Sequence, residues 1–415
     1  MLFVGIDWAE DHHDLAVMNE QGEVLAEARI DDTVAGVGEL HSLVADHAGE
    51  DELVVVGIEI DRGLLVTSLV AAGYLVFAIN PLVASRYRDR HSIAGAKSDA
   101  GDARMLANLV RTDRHMFLSV ADDSDGVEAI KVLARAHKRL IQDRRSQVNR
   151  LRSMLRDYYP GALAAFGTDL ADRDALAVLA IAATPSLGRQ VSRSKIAAAL
   201  ERGGRKRNLE TRAESIQTVL RSQNLEGSAT IAEAYGAATV AMVAVIKTFN
   251  TQIVALEKDV TAHFEKHPDA EIYRSLPGLG DILGARALGE FGDAPNRYEH
   301  AKSRKNYAST SPITRASGKA SSVHARHARN DRLVDACRLW AFSSLTKSAG
   351  ARLYYDTIRG RHKTNEQALR QLGNRWVGIL HGCLTTGTLY DETKAWSHLT
   401  ATETAPPPPE ETIAA

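Results

Sequence analysis

Short apolar runs and amphipathic stretches alternate over the first eighty residues. The runs at 2–7, 13–19, 23–30, 53–59 and 74–79 are six to eight residues long and rich in Val, Leu and Ile, which predicts strands. Between them, 33–47 and 62–72 have the spacing of helices. Asn19-Glu20-Gln21-Gly22 separates the second and third runs as a hairpin-like turn. Two longer stretches keep a helical period. From about 127 to 158, Ile130, Leu133, Leu140, Val148, Leu151, Leu155 and Tyr158 form a stripe flanked by Arg and Lys and stopped by Pro160-Gly161. From about 228 to 266, Val243, Ile246, Phe249, Ile253, Leu256, Val260 and Phe264 form a second, closed by His267-Pro268. The pair suits an antiparallel coiled coil, a dimer seam or core packing within one chain. Between them, 161–227 reads as short helices broken by the basic loop Gly203-Gly204-Arg205-Lys206-Arg207.

At 415 residues, two or three domains are expected. The boundaries read as 1–120 for an α/β domain, 121–268 for a helical, coiled-coil region, 269–395 for a mainly α domain, and 396–415 for a disordered tail. The tail is Thr-, Ala- and Pro-rich, with Pro406 to Pro409 beside Glu403, Glu410 and Glu411. Hydrophobic content of 44% with 25% charged residues fits a soluble globular protein. No uninterrupted apolar run reaches the ~18 residues of a membrane span, and the N-terminus lacks a basic n-region, so neither membrane segment nor signal peptide is expected. Two distant cysteines, Cys337 and Cys383, suit free thiols in a reduced cytoplasm.

The net charge of −1 conceals segregation. Residues 1–60 hold 15 acids against Arg29 alone. Residues 131–156 hold nine bases against Asp143, and 302–332 hold eight against Asp331. Basic runs on a neutral protein fit surfaces that track phosphate backbones, with Arg139, Arg144, Arg145, Arg315, Lys319 and Arg326 as candidate contacts; solvated helix faces are the plain alternative.

Four carboxylates carry the candidate chemistry. Asp7 ends the first apolar run and Glu59 ends the run Leu53 to Ile58. Asp99 and Asp102 lie three apart in KSDAGDARMLANLV, on one face of the first turn of a helix. Acids at two strand ends and on one helix face suit a two-metal site, where Mg²⁺ or Mn²⁺ ions about 3.5–4 Å apart take hard oxygen ligands and stabilise the attacking and leaving oxygens of a phosphodiester displacement. Three antiparallel strands, then helix, strand, helix, strand, is the order of the ribonuclease H-like fold. Glu10, Asp11 and Asp14 are weighed against Asp7; Asp14, at or in the second strand, could reach the metal, but is expected at the surface. His12, His13, His324 and His327 read as structural or exposed, and Arg104 as a possible phosphate contact.

The C-terminal third adds two features. Pro277-Gly278-Leu279-Gly280 between helical stretches reads as a helix–hairpin–helix, with free N–H groups offered to a phosphate. Residues 307–332, YASTSPITRASGKASSVHARHARNDR, read as a loop gripping phosphate or holding an activated hydroxyl among Arg315, Lys319, Arg326 and Arg329. Ser309, Ser311, Ser317, Ser321 and Ser322 compete as nucleophile, and Ser317 has the advantage of Gly318 beside it.

Taken in order, these motifs resemble the DEDD-type transposases of minicircle-like bacterial insertion elements, which are bridge-RNA-guided serine recombinases. The resemblance covers about residues 1–390. Asp7, Glu59, Asp99 and Asp102 match the family's acidic tetrad in its RuvC-like domain, including the last spacing. Pro277 to Gly280, Tyr307 to Pro312 and Ala316-Ser317-Gly318 match motifs of its C-terminal domain, and Ser317 falls on the nucleophile. Ser309 stands where the family has Gly, and Ala316 where it has the first of two serines. The resemblance implies DNA cut and rejoined through a phosphoserine, a metal at the tetrad, a noncoding RNA paired with donor and target DNA, a homo-oligomer in which two protomers complete the site, and a place at the bacterial nucleoid. A RuvC-like nuclease or junction resolvase would need the tetrad but no serine. An actin-like kinase also begins with Gly-x-Asp, but it needs Gly/Thr-rich phosphate loops where this chain has Trp8-Ala9-Glu10-Asp11. A degenerate binding protein would not need all four acids and the serine.

Overall fold

The computed structural model describes residues 1–49, 52–91, 98–117, 119–120, 122–225, 228–318, 320–326 and 329–403. The chain divides into two compact units, 1–122 and 123–415.

The first unit is a five-stranded mixed sheet in the order β3-β2-β1-β4-β5. Its strands are β1 (Leu2–Trp8), β2 (His12–Met18), β3 (Val24–Asp31), β4 (Val54–Ile58) and β5 (Leu75–Ala78). β1, β2 and β3 pair antiparallel, while β4 lies parallel to β1 and β5 parallel to β4. The crossovers run through α1 (Val34–Ala45), capped by the Thr33 hydroxyl, and α2 (Leu64–Ala71). α3 (Pro81–His91) and α4 (Asp99–Asp113) follow.

Alternation along β1 sorts the two faces. Leu2, Val4 and Ile6 join Val54, Val56 and Ile58 in a core with Leu40, Leu65 and Leu69 of the crossover helices. Phe3 and Val55 point the other way, against Leu106, Ala107 and Val110 of α4. Gly5 and Gly57, directly paired in register, lie on that same face. A methyl group on Gly5 would collide with the backbone of Ala103 and Ala107, at 2.9 Å from the Ala103 carbonyl carbon. One on Gly57 would come 2.8 Å from the Leu106 carbonyl oxygen. The two glycines therefore let α4 lie against the sheet backbone itself.

The second unit is helical apart from one hairpin. α5 (Asp125–Tyr158) and α11 (Ala229–Glu265) pack along one another, with α6 (Pro160–Phe166), α7 (Arg173–Leu179), α8 (Pro185–Gln190), α9 (Arg193–Arg202) and α10 (Leu209–Arg221) inserted between them. Their expected stripes are buried or half-buried. Two cores result. Leu151, Leu155 and Tyr158 meet Val243 and Ile246 among the short helices. Val127, Ile130, Val260 and Phe264 instead join α12 (Ala270–Ser275), α13 (Asp281–Phe291), α14 (Ala301–Tyr307), α15 (Asp331–Ser344), α16 (Ala349–Gly360), α17 (Asn365–Thr386) and α18 (Glu392–Glu403). α11 is long and apolar enough to cross a membrane by length and composition alone. Of its buried residues, Val243 and Ile246 join one core and Val260 and Phe264 the other, with Ile253 buried between them.

Three expectations change. Residues 396–403, assigned to the tail, continue α18, because Trp396 packs against Trp376 and donates to the Tyr390 hydroxyl. Residues 404–415 lie outside the described residues. The basic loop at 203–207 is partly structural, since Arg205 and Arg212 converge on the buried carboxylate of Asp174. The segment 307–332, read as a loop, contains the antiparallel hairpin β6 (Ile313–Ser317) and β7 (Ala320–His324).

Candidate active site

The phrase Gly5-Ile6-Asp7 at the end of β1 is repeated as Gly57-Ile58-Glu59 at the end of β4, and register sets the two side by side. Two residues beyond Gly5, Asp7 lies on the face that α4 covers, and Glu59 follows directly after the end of β4. Both are half-buried. α4 begins there, its N-cap Ser98 accepting from the Gly101 N–H, with Asp99 and Asp102 in the first turn. Acids at a helix N-terminus also meet the favourable end of the helix dipole.

The two helix acids differ in surroundings. Asp102 is 5% exposed, and its Oδ1 lies 2.8 Å from Nη2 of Arg88 on α3. Asp99 is exposed and meets Nη2 of Arg29 on β3 at 3.3 Å. Asp7, Asp14 and Arg29 stand opposite one another across three strands. Arg29 donates twice to Asp14, at 3.2 and 2.8 Å, and that carboxylate raises its pKa further. Asp14 is therefore buried, at 7% exposure, and not at the surface as expected. A carboxylate placed directly across from Asp7 needs this counter-charge.

His12 shares that face of β2, and its ring with Asp14 and Asp99 offers three ligand atoms within 4.8 Å of one another. His13 points the other way, fully buried against Asp32. Arg104 pairs with Glu27 at 3.2 Å. The four acids supply only oxygen donors, the chemistry of a hard divalent cation, and of the four it is Asp99 that groups with His12 and Asp14. From the sequence, Arg29 and Arg88 are not singled out for the site, and His12 and Asp14 are weighed but set aside. Arg29 had a signal as the sole base among the first sixty residues; Arg88, within the alternating run Arg86-Tyr87-Arg88-Asp89-Arg90, had none.

In the second unit, Ser317 closes β6, paired with Ala320 across a two-residue turn. Gly318 in that turn has φ +56°, a left-handed conformation that favours glycine. Ser317 and Arg315 are exposed, and two-residue spacing sets them on one face of the hairpin. Lys319 and His327 lie outside the described residues. Arg326 donates to the Ser311 carbonyl and to Asn306, and Arg329 pairs with Asp331. The cations expected around the serine thus reduce, among the described residues, to Arg315. Ser309 is buried with φ +58° and accepts from the Asn330 N–H, while Ser311 sits by Asn374. Ser321 and Ser322 are exposed on β7.

Elsewhere the basic runs are largely engaged within the protein. On α5, Arg135 holds Glu290, Lys138 holds Asp335, Arg144 donates to Asn250 and Arg152 to the Gly167 carbonyl. Arg139 is exposed and pairs with Asp143, and Arg145 is exposed. In the PGLG turn, Gly278 (φ +90°) makes its close approach to the backbone of Ser343 and Ser344, and the Trp340 indole donates to the Pro277 carbonyl.

Two family models match the chain: one described as "Transposase" over residues 4–160, and one as "Transposase IS116/IS110/IS902 family" over 270–356. The chain is 41% identical to the "Mini-circle putative transposase for IS117" of Streptomyces coelicolor, covering 96% of this chain and 97% of that one. The chain belongs to the IS110/IS116/IS902 family of transposases. Other relatives are the insertion element IS900 uncharacterized 42 kDa protein of Mycobacterium paratuberculosis, 29% identical over 94% of this chain and 97% of that one, and the insertion element IS116 uncharacterized 44.8 kDa protein of Streptomyces clavuligerus, 27% identical over 94% and 96%. As a transposase it cuts and rejoins DNA, and the first match, a DEDD transposase domain, spans the positions of Asp7, Glu59, Asp99 and Asp102; this domain type points to divalent metal use.

Proposed function

We propose that this transposase moves its insertion element by cutting and rejoining DNA through a phosphoserine at Ser317, with Asp7, Glu59, Asp99 and Asp102 holding Mg²⁺ or Mn²⁺ in a RuvC-like domain. A noncoding bridge RNA pairs with donor and target DNA, and the protein works as a homo-oligomer in the bacterial cytoplasm, at the nucleoid when active. The observation that supports this most is the repeated Gly-Ile-acid strand end, with Gly5 and Gly57 against the backbone of α4, the helix whose first turn carries Asp99 and Asp102.

In the reaction, the Ser317 hydroxyl loses its proton and its oxygen attacks phosphorus. The phosphoserine bond forms as the bond to a deoxyribose oxygen breaks, and that oxygen takes a proton. A divalent cation held by Asp7, Glu59, Asp99 and Asp102 would supply Lewis-acid polarisation of the phosphate and charge stabilisation for the leaving oxygen. Arg315, two residues along the same strand face, neutralises charge on the phosphoryl oxygens. Because phosphodiester energy is conserved, rejoining needs no ATP. The exposed hairpin tip supports the reading for Ser317, since a duplex can reach it, whereas Ser309 is buried.

The experiment is a covalent-complex trap. A nicked or mismatched substrate is incubated with protein, RNA and Mg²⁺, then run on a denaturing gel. A shifted protein–DNA band is expected for wild type, Ser311→Ala, Ser321→Ala and Ser322→Ala, and none for Ser317→Ala. A band that persists in Ser317→Ala moves the role to a neighbouring serine. Cleavage with no band under any condition leaves a metal-dependent hydrolase in which water attacks.

A further inference from the structure

Two arginines already occupy carboxylates of the tetrad. Arg88 Nη2 lies 2.8 Å from Asp102 Oδ1, with the carboxylate side chain 8% and the guanidinium 26% exposed. The Arg88 Nε is buried with no hydrogen-bond partner among the described residues, so the ion pair to Asp102 runs through Nη2 alone. Arg29 spans Asp14 and Asp99 at 2.8 and 3.3 Å. They reach the acids from opposite sides, Arg29 from β3 at one edge of the sheet and Arg88 from α3, the helix that follows β5 at the other.

A divalent ion on Asp102 sits about 2.0–2.6 Å from a carboxylate oxygen. A guanidinium nitrogen on the same carboxylate then lies only a few ångströms from it, and with Asp102 sheltered from water the repulsion is poorly screened. Resting on the metal reading of the tetrad, we propose that Arg88 and Arg29 are resident counter-ions of this site: each competes with divalent cation for its carboxylate, Asp102 or Asp99, and together they set the metal affinity. The arginines neutralise acids that would otherwise repel one another at the α4 N-terminus, and they withdraw when metal enters. A site of this kind binds metal weakly until another polyanion takes up the displaced guanidinium groups. A DNA or RNA phosphate does so by charge-assisted hydrogen bonds, which couples metal loading to nucleic-acid binding.

The test is Mn²⁺ binding to the full chain, followed by calorimetry and by loss of free Mn²⁺ signal in electron paramagnetic resonance, without nucleic acid. Arg88→Gln and Arg29→Gln, each checked by thermal melting, should tighten Mn²⁺ at least about tenfold, while Arg88→Lys, which keeps the charge, stays near wild type. A short duplex should tighten Mn²⁺ for wild type more than for the double Gln variant. Unchanged or weaker affinity in both Gln variants overturns the proposal and makes these arginines positioning groups. Failure of the underlying reading looks different: Asp102→Asn and Asp7→Asn bind Mn²⁺ like wild type, and that result removes the tetrad and this proposal together.

Discussion

Gly5→Ala is the smallest change that should separate the sheet from α4. The added methyl points at the backbone of α4, 2.9 Å from the Ala103 carbonyl carbon and closer still to the Ala103 oxygen and the Ala107 nitrogen. Ordinary carbon contacts lie at about 3.5–4.0 Å, so helix or strand must move by roughly 1 Å. No side chain can turn away to absorb this, because every near atom is backbone. Overpacking of a tight core costs about 1–3 kcal/mol, and this site should fall at the upper end. Function should suffer more than stability. Asp99 and Asp102 travel with α4, and a misplacement near 1 Å costs on the order of 100-fold in rate. Urea melts and metal-dependent cleavage, measured on one preparation at a temperature where the variant is fully folded, test both parts. Gly57→Ala should act in the same direction, since its nearest contacts include the Leu106 carbonyl at 2.8 Å. Wild-type stability together with wild-type cleavage in Gly5→Ala would refute the idea that contact between α4 and the strand backbone sets the site.

Replacing Asp7, Glu59 or Asp99 by Ala should remove at least about two orders of magnitude of cleavage while circular dichroism and nucleic-acid binding stay near wild type; an active variant takes its residue out of the tetrad. Recombination of purified protein should require its cognate RNA, and efficient site-specific recombination without RNA would end the guided reading. Arg145→Ala should lower the salt slope of DNA or RNA binding by about one, whereas Arg144→Ala, whose guanidinium is held by Asn250, should leave it unchanged; equal effects would contradict the assignment of outward and inward bases. Acid should weaken the second unit. Burial pushes Asp335 up, but hydrogen bonds from Lys138 and Arg286 outweigh it and hold the carboxyl below its ordinary value of 3.8. Its stabilisation is then full above about pH 4 and lost as pH falls through the lower folded value. Asp335→Asn should flatten the fall in urea midpoint as pH drops below about 4, and an unchanged pH profile would count against the pair.

Much of the first unit could be read from alternation and turn chemistry. Runs of strand length match β1 to β5 to within about two residues; β1 and β4, covered on both faces, are nearly continuously apolar, while β3 at the sheet edge is mostly exposed. The long helices were legible from three-and-four spacing up to Pro160 and Pro268. Burial of charge was less legible. Asp14 reads as one of many surface acids until Arg29 is found across the strand pair, a partner fifteen residues away that no local pattern announces. The same holds for α5, where a basic run suggests a phosphate surface although Glu290 and Asp335, about 150 and 200 residues on, take up two of its bases. The hairpin at 313–324 was missed because its strands are polar and exposed, so no hydrophobic alternation marks them. Trp396 was hidden in a stretch whose Thr, Pro and Glu content suggested disorder, although one indole in a core can hold a helix in place.

The paired helices α5 and α11 have a mechanical consequence. Ile130 and Leu151 are anchored in different cores, and at 1.5 Å per residue the helix holds them about 30 Å apart, close to nine base pairs of duplex. Two rods side by side resist bending far better than one. Between the anchors the buried ties are few, chiefly Ala134, His137 by Glu257, and Ile253. The strut is therefore a gauge whose length is written in residue count and not in contacts. Substitutions along its middle change charge and surface, while an inserted or deleted turn shifts one core relative to the other by about 5.4 Å, a dimension that point mutation cannot reach.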